Sequence, residues 1–210
     1  MNTTRRTAGA GLLIYGLGSF VAFLAAGAPG GQYADSIVRS YIDSAHWPVA
    51  FALAYVGALS ALGLLVFGSR MRNSLDASGD GLWGLALAGT ATSVVGWFLT
   101  GGVAVSMAEG GQHVQNGVPY PVVYTLTEIG NLLAVCSPAL FIGVAAILLA
   151  VKGGLPAWLR IFSVIAGVCG ILAPFFFTYF VYVLWTWAFS GWAILSSDRA
   201  PAQTAQPSLV

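Results

Sequence analysis

Apolar residues along this chain come in long unbroken runs, not in the spaced patterns of a water-facing helix or strand. The first run, Ala8 to Ala28, follows Arg5 and Arg6. The second is Pro48 to Gly68, the third Leu82 to Met107, and the fourth extends from about Val122 to Val151. Each reaches the roughly 20 residues that a helix needs to cross a hydrocarbon core of about 30 Å. Pro48 suits a first helical turn, where its missing N–H costs no hydrogen bond.

The last run, Trp158 to Leu195, holds 38 residues. As one straight helix it would measure about 57 Å at about 1.5 Å per residue, too long for the same core. Two spans joined by a tight turn near Gly170 to Phe176, with Pro174 as the breaker, account for it better. The aromatic segment Phe175 to Phe180 then falls at one membrane interface and Trp192 at the other. The fold class is therefore all-α: a polytopic transmembrane helical bundle of six spans, with five spans and one long tilted last helix as the alternative. Residues 1–197 form a single transmembrane domain, and the polar residues 198–210 a disordered tail.

Ala26-Gly27-Ala28 has the look of a cleavage site, and Arg5-Arg6 faintly that of a twin-arginine signal. Pro29 directly after such a cut, and the further spans, favour an uncleaved first helix. With a cytoplasmic N-terminus in the cell membrane, Arg5, Arg6, Arg70, Arg72, Lys152 and Arg160 all fall inside, Arg199 as well if there are six spans, and only Arg39 outside. The positive-inside rule selects that orientation. In the first outer segment Tyr33, Ile37, Val38, Tyr41 and Ile42 recur at helical spacing, with Asp35, Ser36, Arg39, Ser40 and Asp43 on the other face. This predicts an amphipathic interfacial helix on the outer surface, packed on the bundle's own spans. The second outer segment, Glu109 to Pro121, contains Gly and Pro and reads as irregular.

Composition removes other classes. Hydrophobic residues make up 58% of the 210 and charged residues 7%, against about 25% charged in an ordinary soluble domain; the chain lacks a polar coat, so its partner is the lipid bilayer. A net charge of +1 with no basic stripe excludes nucleic acid. Cys136 and Cys169 lie inside apolar runs, form no CxxC pair, and read as small buried hydrophobes.

Small residues mark where helices can approach. Gly84, Ala88, Thr92, Gly96 and Thr100 follow at four-residue intervals and share one face of the third span, as Ser163 with Gly167 and Ala166 with Gly170 do on the fifth. A six-helix bundle must bury several such faces, so packing within the chain is their simplest use.

Ionisable residues inside spans are the default functional suspects, and few exist here. Glu128 has Asn131 one turn later on the same face, and counting back from Lys152 places it near the outer interface. His46 at the outer start of the second span and His113 in the second outer segment fall on the same side. These give a speculative ligand-binding set of Glu128, Asn131 and His46. No HxxxH or HExxH spacing exists, so neither metal nor cofactor is assigned. No nucleophile elbow, P-loop or deep carboxylate pair suggests catalysis.

The start Thr4-Arg5-Arg6-Thr7-Ala8-Gly9 leading into a span, the outer amphipathic segment after it, and Leu155-Pro156-Ala157-Trp158-Leu159-Arg160 leading into the final apolar pair together give a layout. That layout resembles a broad group of multi-pass membrane proteins, frequent in actinobacteria, that are grouped only by a domain of unknown function. The resemblance implies six helices and transfers no catalytic residue; the neutral polar tail departs from the basic ending common in that group. Two functions fit. Scarce buried polar groups with small-residue faces suggest a non-enzymatic accessory or assembly subunit of a membrane complex, with another membrane protein as partner. Broken-helix candidates at Pro138 and Pro174 with an outer polar cluster suggest a small-solute transporter or apolar-ligand binding protein instead.

Overall fold

The computed structural model describes residues 2–26, 47–72, 79–117, 120–175 and 177–196, all but a few of them helical. The helices are α1 (Asn2–Ala26), α2 (Trp47–Arg72), α3 (Gly79–Gly117), α4 (Tyr120–Asn131), α5 (Ser137–Lys152), α6 (Ala157–Ile171) and α7 (Phe177–Ser196). A single π-helical turn, Leu132–Cys136, joins α4 to α5, so the two make one rod. Among the described residues there are thus six rods, and five are long and apolar enough to cross a membrane. The exception is α6. Its 15 residues span about 22 Å at about 1.5 Å per residue, short of the core of about 30 Å.

The last apolar stretch divides where the sequence places the break. The 3₁₀ turn Ala173–Phe175 separates α6 from α7. Pro174 offers no N–H there, and the Leu172 carbonyl accepts both the Phe175 N–H at 3.0 Å and the Thr178 hydroxyl at 2.6 Å. The other sharp turn, between α5 and α6, uses Gly154 at a φ of 59°, a left-handed conformation that a side chain disfavours.

One expectation changes. The segment from Glu109 onward is helical as far as Gly117, because α3 simply continues beyond its apolar part; its glycines weaken a helix without ending one. Within the aromatic segment, Tyr179 is buried inside the bundle, while Phe175 and Phe177 are exposed. The amphipathic helix expected around Tyr33 to Asp43 and the tail from residue 198 lie outside the described residues.

Each rod packs on its neighbours in sequence, and α7 closes back onto α1, so the six form a ring. Neighbours run antiparallel. Gly9 near the start of α1 meets Ala193 near the end of α7, and Gly11 meets Gly63 and Val66 near the end of α2. The lumen is filled rather than open: Leu12, Leu64, Phe67, Ile142, Trp185 and Phe189 are all fully buried. Outside, Ile14, Leu17, Val21 and Leu24 of α1 are exposed at helical spacing. An outer surface as apolar as the core is stable only against lipid, and the protein is an integral membrane protein.

Glycines set the closest crossings. A Cβ on Gly96 of α3 would lie 2.6 Å from the Gly130 carbonyl oxygen and the same distance from the Ala134 Cα. A Cβ on Gly167 of α6 would lie 2.7 Å from the Gly143 carbonyl oxygen of α5. Backbones this close exchange dispersion along their length, which replaces the hydrophobic driving force that lipid removes.

Candidate functional site

The ring has two chemically different ends. One gathers the start of α1, the end of α2, the start of α3, the end of α5 and the start of α6. Arg5, Arg6, Arg70, Arg72, Lys152 and Arg160 therefore lie at this end. Asp80, the acid of the same end, pairs with Arg72 at 2.6 Å. The other end carries Glu128 and Asn131 of α4.

Asn131 is buried and Glu128 half-buried; the two side chains interact one helical turn apart. Glu128 also reaches Cys136 electrostatically. Cys136 is buried and Cys169 half-buried, and neither is in a disulfide. The π turn explains the grouping. It adds one residue to a helical turn, with the Ser137 N–H reaching back to the Leu132 carbonyl, and such turns recur at functional sites. Pro138 follows at once. It lacks the N–H that an α-helix would direct to the Ala134 carbonyl, and Ser93 of α3 supplies a donor in its place, at 2.8 Å.

Beside Asn131 and Cys136 the lumen holds a group of hydroxyls. Tyr15 and Ser19 of α1 sit one turn apart and face Tyr179 and Tyr182 of α7; Tyr15 lies within electrostatic reach of both tyrosines. Tyr15, Ser19 and Tyr182 are each only 1% exposed. The three hydroxyls lie close enough to interact, Tyr15 with both Tyr182 and Ser19, yet none completes a hydrogen bond of good geometry. A narrow crevice lined by Phe23, Asn131, Leu132, Val135, Cys136 and Tyr179 runs alongside. It brings Asn131 and Cys136 up against Tyr179 and is too narrow to hold a water molecule.

Further along α7 the rings continue without a gap. Tyr182 stacks on Trp185, Trp185 meets Phe189 at 5.4 Å and Phe189 meets Trp192 at 5.7 Å. This aromatic column stops the lumen between the hydroxyl group and the basic end. One polar atom within it is well satisfied: the Trp185 Nε1–H donates to Ser163 Oγ at 2.8 Å, and Ser163 donates to the Leu159 carbonyl.

Of the residues singled out in sequence, Glu128 and Asn131 lie together. His46 lies outside the described residues, and His113 falls in the last turns of α3. The small-residue track divides. Gly96 and Thr100 are buried against α4 and the π turn, Ala88 and Thr92 are half-buried, and Gly84 is exposed with nothing within 4 Å of a Cβ placed there. Sequence reasoning missed Tyr15, Ser19, Tyr179 and Tyr182. The signal was a polar pair at i, i+4 in the first span and a tyrosine pair at i, i+3 in the last. Both lie about 20 Å from the basic ends of their helices at about 1.5 Å per residue.

No family model matches the chain, and neither a curated protein nor a solved structure matches it.

Proposed function

We propose that this protein binds a small solute bearing at least two hydrogen-bonding groups, in the lumen between α1, α7 and the π turn. One observation supports the reading: the Tyr15, Ser19 and Tyr182 hydroxyls are gathered in one buried place, near enough to interact with one another but without a well-formed hydrogen bond. Leaving a buried donor or acceptor unmet costs about 1–3 kcal/mol per group, and lipid offers no relief. Three such groups in one place call for an occupant that supplies the missing bonds. Asn131 and Glu128 lie on the way in, and Phe23 and Leu132 form an apolar rim that has to part for entry. The positive-inside rule puts this end on the outer face, with the N-terminus cytoplasmic. The lumen at this site is packed closed in this conformation, so binding requires α1, α7 and the π turn to part; transport requires Trp185 and Phe189 to move as well.

The test is native mass spectrometry of protein extracted gently from its own membrane. The expected result is a stoichiometric small molecule, with occupancy falling about tenfold in Tyr15→Phe/Tyr182→Phe, since two hydrogen bonds at about 0.5–1.5 kcal/mol each are removed. Each single Phe variant should fold as stably as the parent, because no well-formed protein bond is lost. An empty parent protein, or retention unchanged in the double variant, refutes the site.

A second reading, an accessory subunit of a membrane complex, draws on Gly81 and Gly84. Both are exposed on α3 with no neighbour within 4 Å of an added Cβ, leaving one small-residue face for another membrane protein. The other tracks are used inside the chain, which is why the solute reading stands first.

A further inference from the structure

The basic end carries a different chemistry. Arg5 lies at the start of α1 with its guanidinium carbon 5.6 Å from the centroid of the Trp192 ring. Three segments converge on it: Met71 from the end of α2, Gly153 and Leu155 from the turn after α5, and Phe189 with Trp192 from α7. Apart from Arg5 the side chains of this cleft are apolar or aromatic. Among the described residues, then, the guanidinium is held by an indole rather than by a carboxylate.

That arrangement restrains the guanidinium against the ring, with Arg5 half-buried. An arginine carries five N–H donors in a rigid fork suited to two oxygens of one phosphate. A cation over an indole face keeps its charge while losing side-chain freedom. The cleft has about 20 Å³ of free space, room for about one water molecule, so a phosphate seats at its mouth rather than within it. The described residues of this end favour an anion: Arg6, Arg70, Arg72, Lys152 and Arg160 gather there with Asp80, which Arg72 engages. The apolar outer faces beside the cleft, including Trp158 and Ile161 of α6, suit acyl chains.

We infer that the Arg5–Trp192 cleft is a binding site for the phosphate of an anionic lipid headgroup, a site separate from the luminal hydroxyls and independent of the solute reading. The lipid would tie the start of α1 to the end of α7, the seam that closes the ring.

The experiment uses the full chain in nanodiscs of phosphatidylcholine with increasing phosphatidylglycerol, followed by release into native mass spectrometry to count retained lipids. The parent should retain one phosphatidylglycerol in preference to phosphatidylcholine. Arg5→Gln should lower that retention about fivefold, the share of one basic group near an anionic surface. Arg5→Lys, which keeps the charge and loses the fork, should recover only part of it. Arg70→Gln, at the same end and outside the cleft, should leave it within about twofold, on the same scale. A thermal melt of each variant separates lost lipid from lost fold. Inorganic phosphate at millimolar concentration should not displace the lipid; displacement assigns the site to free phosphate and overturns the lipid reading. Equal retention of the two lipids, or equal losses in Arg5→Gln and Arg70→Gln, refutes a discrete site.

Discussion

Ser93 makes the most informative single contact in the bundle. Its hydroxyl donates across helices to the Ala134 carbonyl at 2.8 Å, and Ser93 is fully buried. In an α-helix that carbonyl would receive the N–H of residue 138, and residue 138 is proline. The reasoning is that the cross-helix bond matters because Pro138 has removed the local donor. Ser93→Ala then leaves a carbonyl with one donor fewer in a water-free interior. The general cost of an unmet buried group is about 1–3 kcal/mol, while cross-helix hydrogen bonds in membranes average about 0.6 and reach about 1.7 kcal/mol. A proline next to a π turn places this one toward the upper limit, about 1.5 kcal/mol. Pro138→Ala restores an N–H, so Ser93→Ala in that background should cost less than about 0.5 kcal/mol, a residue of ordinary packing. The assay is a double-mutant cycle on unfolding equilibria in mixed micelles, which cancels the loss of the proline ring itself. Equal costs of Ser93→Ala in the two backgrounds would show that the hydroxyl is not standing in for the missing N–H.

Three further outcomes are expected. Gly96→Leu should destabilise the bundle by about 3 kcal/mol, the upper range for overpacking, because the atoms it meets are backbone and cannot turn aside. Gly84→Leu should leave stability within about 0.5 kcal/mol, the usual limit for an exposed site; if it also releases a co-purifying membrane protein, the accessory-subunit reading gains what it lacks, and unfolding curves with pull-downs report both. Ser163→Ala should cost about 1–3 kcal/mol by leaving the buried Trp185 Nε1–H without its acceptor. A red shift or blue shift of tryptophan emission should accompany that loss, and an unchanged melt would mean that the indole has found another partner.

Membrane residence, the helical class and the break in the last apolar stretch were legible in sequence because they are one-dimensional properties. A run of apolar residues has a length, hydrocarbon has a thickness, and Pro174 ends a helix wherever its neighbours lie. The pairs Ser163 with Gly167 and Ala166 with Gly170 were also legible, since helical periodicity alone puts them on one face, and that face is buried against α5. Composition fails in one place. It marked residues near Glu109 to Gly117 as irregular because glycine and polar residues are frequent there, yet weak propensity did not end α3.

The three-dimensional arrangement decided the rest. Whether a small residue faces lipid or another helix depends on which helix lies opposite, so Gly84 and Gly96, equivalent in spacing, end in different surroundings. Tyr15 and Tyr182 are 167 positions apart in sequence and meet only because α7 closes the ring onto α1. A hydroxyl's partner is a property of its surroundings. The lack of a well-formed bond at Tyr15, Ser19 and Tyr182 therefore became visible only once the helices were packed, and so did the meeting of Arg5 with Trp192. Chain order sets what each helix is, and ring closure sets which polar atoms have to share the interior.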